Sequence, residues 1–316
     1  MIFSLKIPIA KSKQLISYQS DMMLLGSCFS ENIGSKFSYF KLNASVNPFG
    51  IIFNVVSIEK LIQRAVNKDF FTEKDIFFHN DLWHCFEVHS ELSNPNKDTF
   101  LETLNTLIES TNCQISKLTH CIITLGTSWV YQNNTTGEIV ANCHKVPQKE
   151  FTKVLLSPAQ NEQSLRSIVA LIHSVNLTCQ FIFTISPVRH SKDGFFENNV
   201  SKANLFSALH SSIIHHPSLT YFPSYEIVLD ELRDYRFYEK DMLHPNALAV
   251  DYIWERFSET YFDQETLSIM QDVEVIQKGL AHRPFNPDTE SHRKFLDKLE
   301  DKMQVLQKKV PTIDFS

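Results

Sequence analysis

The chain has 316 residues, a net charge of −6 and 43% hydrophobic residues, enough to fill one large core with a small appendage left over. The acidic balance, with no basic cluster beyond lysine pairs near the C-terminus, argues against a nucleic-acid footprint. The seven glycines form neither GxGxxG nor GxxxxGK[ST], which excludes a Gly-rich phosphate loop.

In chain order, DMMLLG (21–26) reads as a first strand and CFSENIGSKFSYF as the helix after it. NASVN (43–47) reads as a second strand. SIEKLIQRAVNK (57–68) then puts Ile58, Leu61, Ile62 and Ala65 on one helical face. The aromatic-rich stretch 69–95 breaks this rhythm and reads as an inserted β-type excursion near the sheet's edge, with Trp83-His84 and Glu87-Val88-His89 as strand residues. DTFLETLNTLIES (98–110) is helical. HCIITLG (120–126) and CQFIFTIS (179–186) are nearly all apolar, the pattern of strands buried on both faces. Between them, SPAQNEQSLRSIVALIHSVN (157–176) opens with Ser157 as a cap and Pro158 at the first helical position. LTYFPSYEIV (219–228) reads as a fifth strand, and NALAVDYIWERFSETYF (246–262) as a helix capped by Asn246. In 288–309, Phe295, Leu299, Met303 and Leu306 form one helical stripe. The alternation predicts a three-layer α/β sheet spanning 1–262, with 263–316 as a C-terminal helical appendage.

The six cysteines (Cys28, Cys85, Cys113, Cys121, Cys143, Cys179) include no CxxC pair, which fits a reducing compartment better than a zinc site or a disulfide framework. Cys121 and Cys179 read as small apolar core residues, and Cys143-His144 offers too few ligands for zinc. The first residues hold too short an apolar run for a signal peptide, and no stretch of 18 apolar residues exists. A soluble, cytoplasmic protein without membrane contact is expected.

Ligands of an open parallel sheet bind beyond the carboxyl ends of its strands. There the chain places Gly26-Ser27-Cys28, Asn47-Pro48-Phe49-Gly50, Gly126-Thr127-Ser128, Ser186-Pro187-Val188-Arg189-His190, and finally DYRFYEKDMLHPN. Asp241, three residues before His244, is spaced to hold the imidazole in one tautomer. The DYRFY run reads as ordering the loop that carries this pair.

These segments together resemble the GSCFA-domain family of bacteria, a branch of the SGNH (GDSL-like) hydrolases. The resemblance rests on LLGSCFSENIG, NPFGIIFN, TLGTSWVY, ANCHK, SPVRH and YFPSYEIVLDELRDYRFYEKDMLHP, in order over residues 22–245. It implies a flavodoxin-like α/β/α sandwich with a five-stranded parallel sheet. It also implies a nucleophile at the helix start, where Cys28 takes the place of the superfamily's serine and Ser27 that of its aspartate. Asp241 and His244 then complete a triad. Gly50 takes the place of the oxyanion glycine with Asn47 as a neighbouring donor, and Gly126-Thr127-Ser128 replaces the block that normally carries an asparagine donor. Ser128 is the substitute there, and His89 is a pocket candidate. From its residues alone, the Arg189-His190 pair after the fourth strand reads either as a site for an anionic or sugar-like group or as a loop salt bridge.

A helix N-terminus favours a thiolate, so Cys28 is expected to have a lowered pKa and to be preferred over Ser27 as nucleophile. Two readings follow. One is an esterase acting on an acyl group, with an acylated carbohydrate or other small-molecule ester as substrate and no metal or organic cofactor. The other is an inactive binding module for a small or sugar-like ligand, which the replaced serine and asparagine favour.

Overall fold

The computed structural model describes residues 5–315. In chain order its elements are β1 (Met22–Gly26), α1 (Cys28–Tyr39), β2 (Ala44–Val46), α2 (Val55–Asn67), β3 (Phe77–His79), β4 (Leu82–His84), α3 (Lys97–Ile115), β5 (His120–Leu125), β6 (Trp129–Asn133), β7 (Ile139–Val140), β8 (Phe151–Leu155), α4 (Pro158–Val175), β9 (Gln180–Ile185), α5 (Phe195–Ile214), β10 (Leu219–Tyr221), α6 (Ser224–Glu226), α7 (Ala247–Tyr261), α8 (Gln264–Leu280) and α9 (Glu290–Lys309).

Five strands form the main sheet in the order β10-β9-β5-β1-β2, and every pairing is parallel. The five strand segments expected from the sequence are the five that pair. The order reverses between β1 and β5, so the crevice for a ligand lies where Gly26 and Leu125 end their strands.

The register explains the apolar runs. Leu24, Ile122 and Ile182 lie in one row and face the side covered by α1, α7, α8 and α9. Met23, Cys121 and Phe181 lie in the next row and face α2, α3, α4 and α5. A strand covered on both faces has no position left for a polar side chain to reach water. Cys121 and Cys179 are fully buried core residues.

Local chemistry sets the helix ends. Ser157 and Gln160 form a reciprocal capping box, with Pro158 at the first helical position. Asn246 caps α7 by accepting from Ala249 N at 3.1 Å. The insertion holds a hairpin: β3 pairs antiparallel with β4 through Asn80 and Asp81, both at positive φ, as a tight two-residue turn requires. Arg64 of α2 ties this region down, donating to Glu87 (2.5 Å) and Asp75 (2.8 Å) while its guanidinium lies 4.4 Å from the Phe71 ring centroid.

Three sequence expectations need correction. The fifth strand stops at Tyr221, because Ser224 hydrogen-bonds Ile185 O (3.0 Å) and turns the chain into a helical stretch ending in a π turn at Ile227–Glu231. Ile227 and Val228 are buried by that helix and not by strand pairing. Glu87-Val88-His89 is not a strand: Glu87 holds Arg64, and His89 heads a 3-10 turn. Residues 129–155, where none of the five expected strand segments falls, form a three-stranded antiparallel sheet in the order β7-β6-β8. Helix α5 was not foreseen either. Among the described residues, no helix is long and apolar enough to cross a membrane.

Candidate active site

The turn from β1 into α1 is built around Gly26. Its φ is +129°, and a Cβ there would collide with Thr124 O of the neighbouring strand. Ser27 follows in extended geometry, donates its N–H to Thr124 O (3.2 Å) and caps α1 by accepting from Phe29 N at 3.3 Å. Cys28, half-buried, is the first residue of the helix. Ser27 Oγ thus serves as the cap acceptor, and Cys28 brings its sulfur to the helix start.

The expected lowering of the thiol pKa does not appear. Burial raises it most, and the Glu31 carboxylate raises it further. The backbone N–H groups of Phe29 and Cys28, together with the Lys202 charge, lower it without reversing the sum. The resting group is the thiol, so a nucleophilic role requires a base to take its proton.

Asp241 and His244 form the expected pair. Nδ1 of His244 lies 2.6 Å from Asp241 Oδ2, while Asp241 Oδ1 accepts from Leu243 N (2.9 Å) and His244 N (3.0 Å). The backbone N–H of His244, that of Leu243 and the imidazole hold the carboxyl down at about 2. With Nδ1–H donated to the carboxylate, Nε2 is left as the basic nitrogen. The turn is secured from outside: Glu239 N donates to His244 O (2.7 Å), and Asn246 Nδ2 donates to Arg236 O (2.7 Å). Asp234 heads the 3-10 turn at Tyr235–Phe237, so the DYRFY run orders this loop. Among the described residues, no hydrogen bond joins His244 to Ser27 or Cys28.

The other candidates divide. Asn47 is buried at positive φ, and its Oδ1 accepts from Gly26 N at 2.9 Å, leaving Nδ2 with only a 3.5 Å contact to Glu31. Gly50 donates its N–H to Asn47 O (2.7 Å), closing a turn, so it is not an open oxyanion donor. Its glycine is required by φ +79° and by the imidazole-bearing Cβ of His89 packed against it. His89 thus sits on the outer side of this turn, 3.5 Å from Glu91. Ser128 is fully buried and fails as an oxyanion donor for a plain reason. Its single hydroxyl proton goes to Ser201 O (2.9 Å), and its oxygen accepts from Asn161 Nδ2 (3.2 Å). His144 likewise lies in the fold, its Nε2 on Cys85 O at 2.7 Å. Among the described residues, no cluster of three or more His, Cys, Asp or Glu side chains is arranged for a metal ion.

Two more residues belong to this neighbourhood: Lys202, which the sequence reading missed, and His190, which follows Arg189 past the fourth strand of the sequence reading. Lys202 of α5 is 2% exposed and donates from Nζ to Gly126 O (2.6 Å) and Ser186 O (2.7 Å), the carbonyls just past β5 and β9. Burial pushes its pKa down to about 7, aided by Arg189, while Cys28 pulls it up. His190 packs its ring 5.3 Å from that of Phe53 and lies against Gly126. Burial first, then Lys202, pushes it down to about 4, with His244 also contributing. Cys28, Lys202, His190 and His244 therefore share one electrostatic neighbourhood at the carboxyl edge of the sheet. The apolar stripe Ser201, Lys202, Leu205, Ala208, Leu209 was the available signal for a buried lysine.

Arg189 donates to Asn199 Oδ1 (3.0 Å) and lines a cleft of about 630 Å³ together with Asp241. The cleft runs between the loop after β9 and the segment after β10, beside the Asp241–His244 pair.

The model of the GSCFA family matches residues 21–257, and that of the GSCFA domain protein, C-terminal domain, matches residues 273–316. No curated protein matches the chain. With three quarters of its length covered by one family model that begins at β1 and ends within α7, the chain belongs to the GSCFA family.

Proposed function

We propose that the chain is an SGNH-like hydrolase of an acyl ester, with Cys28 as nucleophile, His244 as base and Asp241 as the residue that orients it. The observation that carries this reading is the 2.6 Å Asp241–His244 contact, which frees Nε2 on the same sheet edge as the Cys28 helix start. The chemistry follows from the protonation states. His244 takes the thiol proton, the sulfur attacks the acyl carbon, and the alcohol leaves with the proton returned by the imidazole. Water then cleaves the thioester with the same base. Asn47 Nδ2, little engaged elsewhere, and the first N–H groups of α1 are the donors that best suit an oxyanion. Six unpaired cysteines support a reducing compartment such as the cytoplasm.

A binding module without turnover has two observations in its favour: burial raises the pKa of the Cys28 thiol, and Gly50 and Ser128 have no proton to offer an oxyanion. Turnover of p-nitrophenyl esters, followed with iodoacetamide alkylation across pH, separates the two. Loss of ester cleavage in both Cys28→Ser and His244→Ala supports the hydrolase. Equal, slow rates in wild type, Ser27→Ala and both variants overturn it.

A further inference from the structure

The cleft beside Asp241 has an unbalanced charge. Arg189 and Arg233 both line it. The only polar partner described for the Arg189 side chain is Asn199, at 3.0 Å, and among the described residues Arg233 has no carboxylate in ion-pair reach. The two carboxylates in the lining are already engaged. Asp234 faces Arg236 at 3.5 Å and accepts from Arg236 N at 2.9 Å, and Asp241 is bound to His244 at 2.6 Å. Asp193, nearby in the loop after β9, is held by Lys153 at 2.5 Å. Two guanidiniums without counter-ions therefore face an open volume of about 630 Å³.

The same walls carry aromatic surface that the core does not use. Tyr235 is 75% exposed and Phe195 is 62% exposed. The rings of Tyr235 and Tyr238 lie 6.2 Å apart, and Tyr238 is close enough to Arg189 for the guanidinium to act on its phenol. Exposed aromatic faces next to unpaired arginines suit a ring-shaped polar ligand that bears an oxyanion.

We infer that this cleft binds an anionic sugar, with a carboxylate or phosphate group on Arg189 and Arg233 and the sugar ring against Tyr235 and Phe195. The inference rests on the hydrolase reading only in placing the ester of that sugar at His244. The binding itself stands apart from turnover.

Calorimetric titration of the intact chain at low salt with glucuronate, glucose 6-phosphate, glucose and inorganic phosphate tests it. One or both anionic sugars are expected to bind about tenfold more tightly than glucose, and Arg189→Gln and Arg233→Gln are each expected to lose about that factor. Arg233→Lys, which keeps the charge but not the fork, is expected to retain part of it. The stronger of the two anionic sugars identifies the group. Equal binding of glucose overturns the inference, as does unchanged affinity in both glutamine variants with wild-type melting temperatures. Failure of both anionic sugars to bind below about 10 mM overturns it too. Inorganic phosphate binding as tightly as the sugar phosphate removes the ring from the proposal. In Cys28→Ala, anionic sugar binding is expected to persist. Arginine-dependent binding with no ester cleavage in wild type would sink the hydrolase reading and leave this one standing.

Discussion

Lys202 donates to the Gly126 carbonyl at 2.6 Å from a position 2% exposed to solvent. A second bond to Ser186 O ties the ends of β5 and β9 together beneath the candidate nucleophile. Because burial lowers the folded pKa to about 7, below that of the unfolded chain, the unfolded state binds more protons between the two values. The lysine therefore costs stability below about pH 7, and this cost disappears as pH rises toward the ordinary lysine value. Chemical denaturation of wild type and Lys202→Met at pH 6 and pH 9 is expected to show wild type gaining relative to the variant at the higher pH. A parallel pH dependence for the two would contradict the buried cation.

The Cys28 thiol answers to two opposing charges. Glu31→Gln removes a carboxylate that raises it, and Lys202→Met removes a cation that lowers it. Iodoacetamide rates at neutral pH are expected to rise about two- to tenfold in Glu31→Gln and to fall in Lys202→Met. The midpoint of the pH profile should move down in the first and up in the second. Shifts in the same direction would deny the arrangement.

His244→Ala is expected to cut ester turnover by about 10²–10⁴, the usual worth of a positioned base. Asp241→Asn should fall in the same range, because the imidazole loses its fixed tautomer. The carboxyl titrates at about 2, so the stability that depends on its ionised form is present above the ordinary aspartate range and lost as pH falls through about 2. An acid limb of turnover centred near pH 4 that vanishes in Asp241→Asn would place the carboxyl at its ordinary value and contradict its lowering by the turn.

Ser128→Ala tests the correction at the third strand. It removes the buried donor to Ser201 O, while Asn161 Nδ2 keeps Leu156 O and Ser157 O as acceptors, so unfolding free energy should drop by about 1–3 kcal/mol. The turnover of the surviving folded protein is expected to stay within about threefold, whereas loss of an oxyanion donor costs about 10²–10³.

The legible parts of this fold are those written in local chemistry. Ser157-Pro158 marks a helix start whatever lies around it, and the apolar runs at 120–125 and 180–185 admit only doubly covered strands. Asp241 and His244 were legible because three residues of turn bring them together. What stayed hidden depends on distant parts of the chain. Lys202 looks like a surface charge until Gly126 and Ser186, 76 and 16 residues away, supply its acceptors. Ser128 looks like a site residue until Ser201 claims its proton. Ile227 and Val228 have strand-like side chains, but the Ser224 bond to Ile185 O turns the backbone first. The expectation for Cys28 counted the helix terminus and omitted burial, the larger effect.

Phe37 of α1 and Trp254 of α7 meet edge to face at 5.1 Å, with Phe257 and Phe262 closing the cluster. One of these helices begins at the sulfur, and the other leaves directly from the histidine turn. The hub thus works as a mechanical axle on which both candidate groups are mounted, some distance from either. Wear in that bearing would slip the alignment of the two while each remained well formed, so turnover would register such damage earlier than any melting curve.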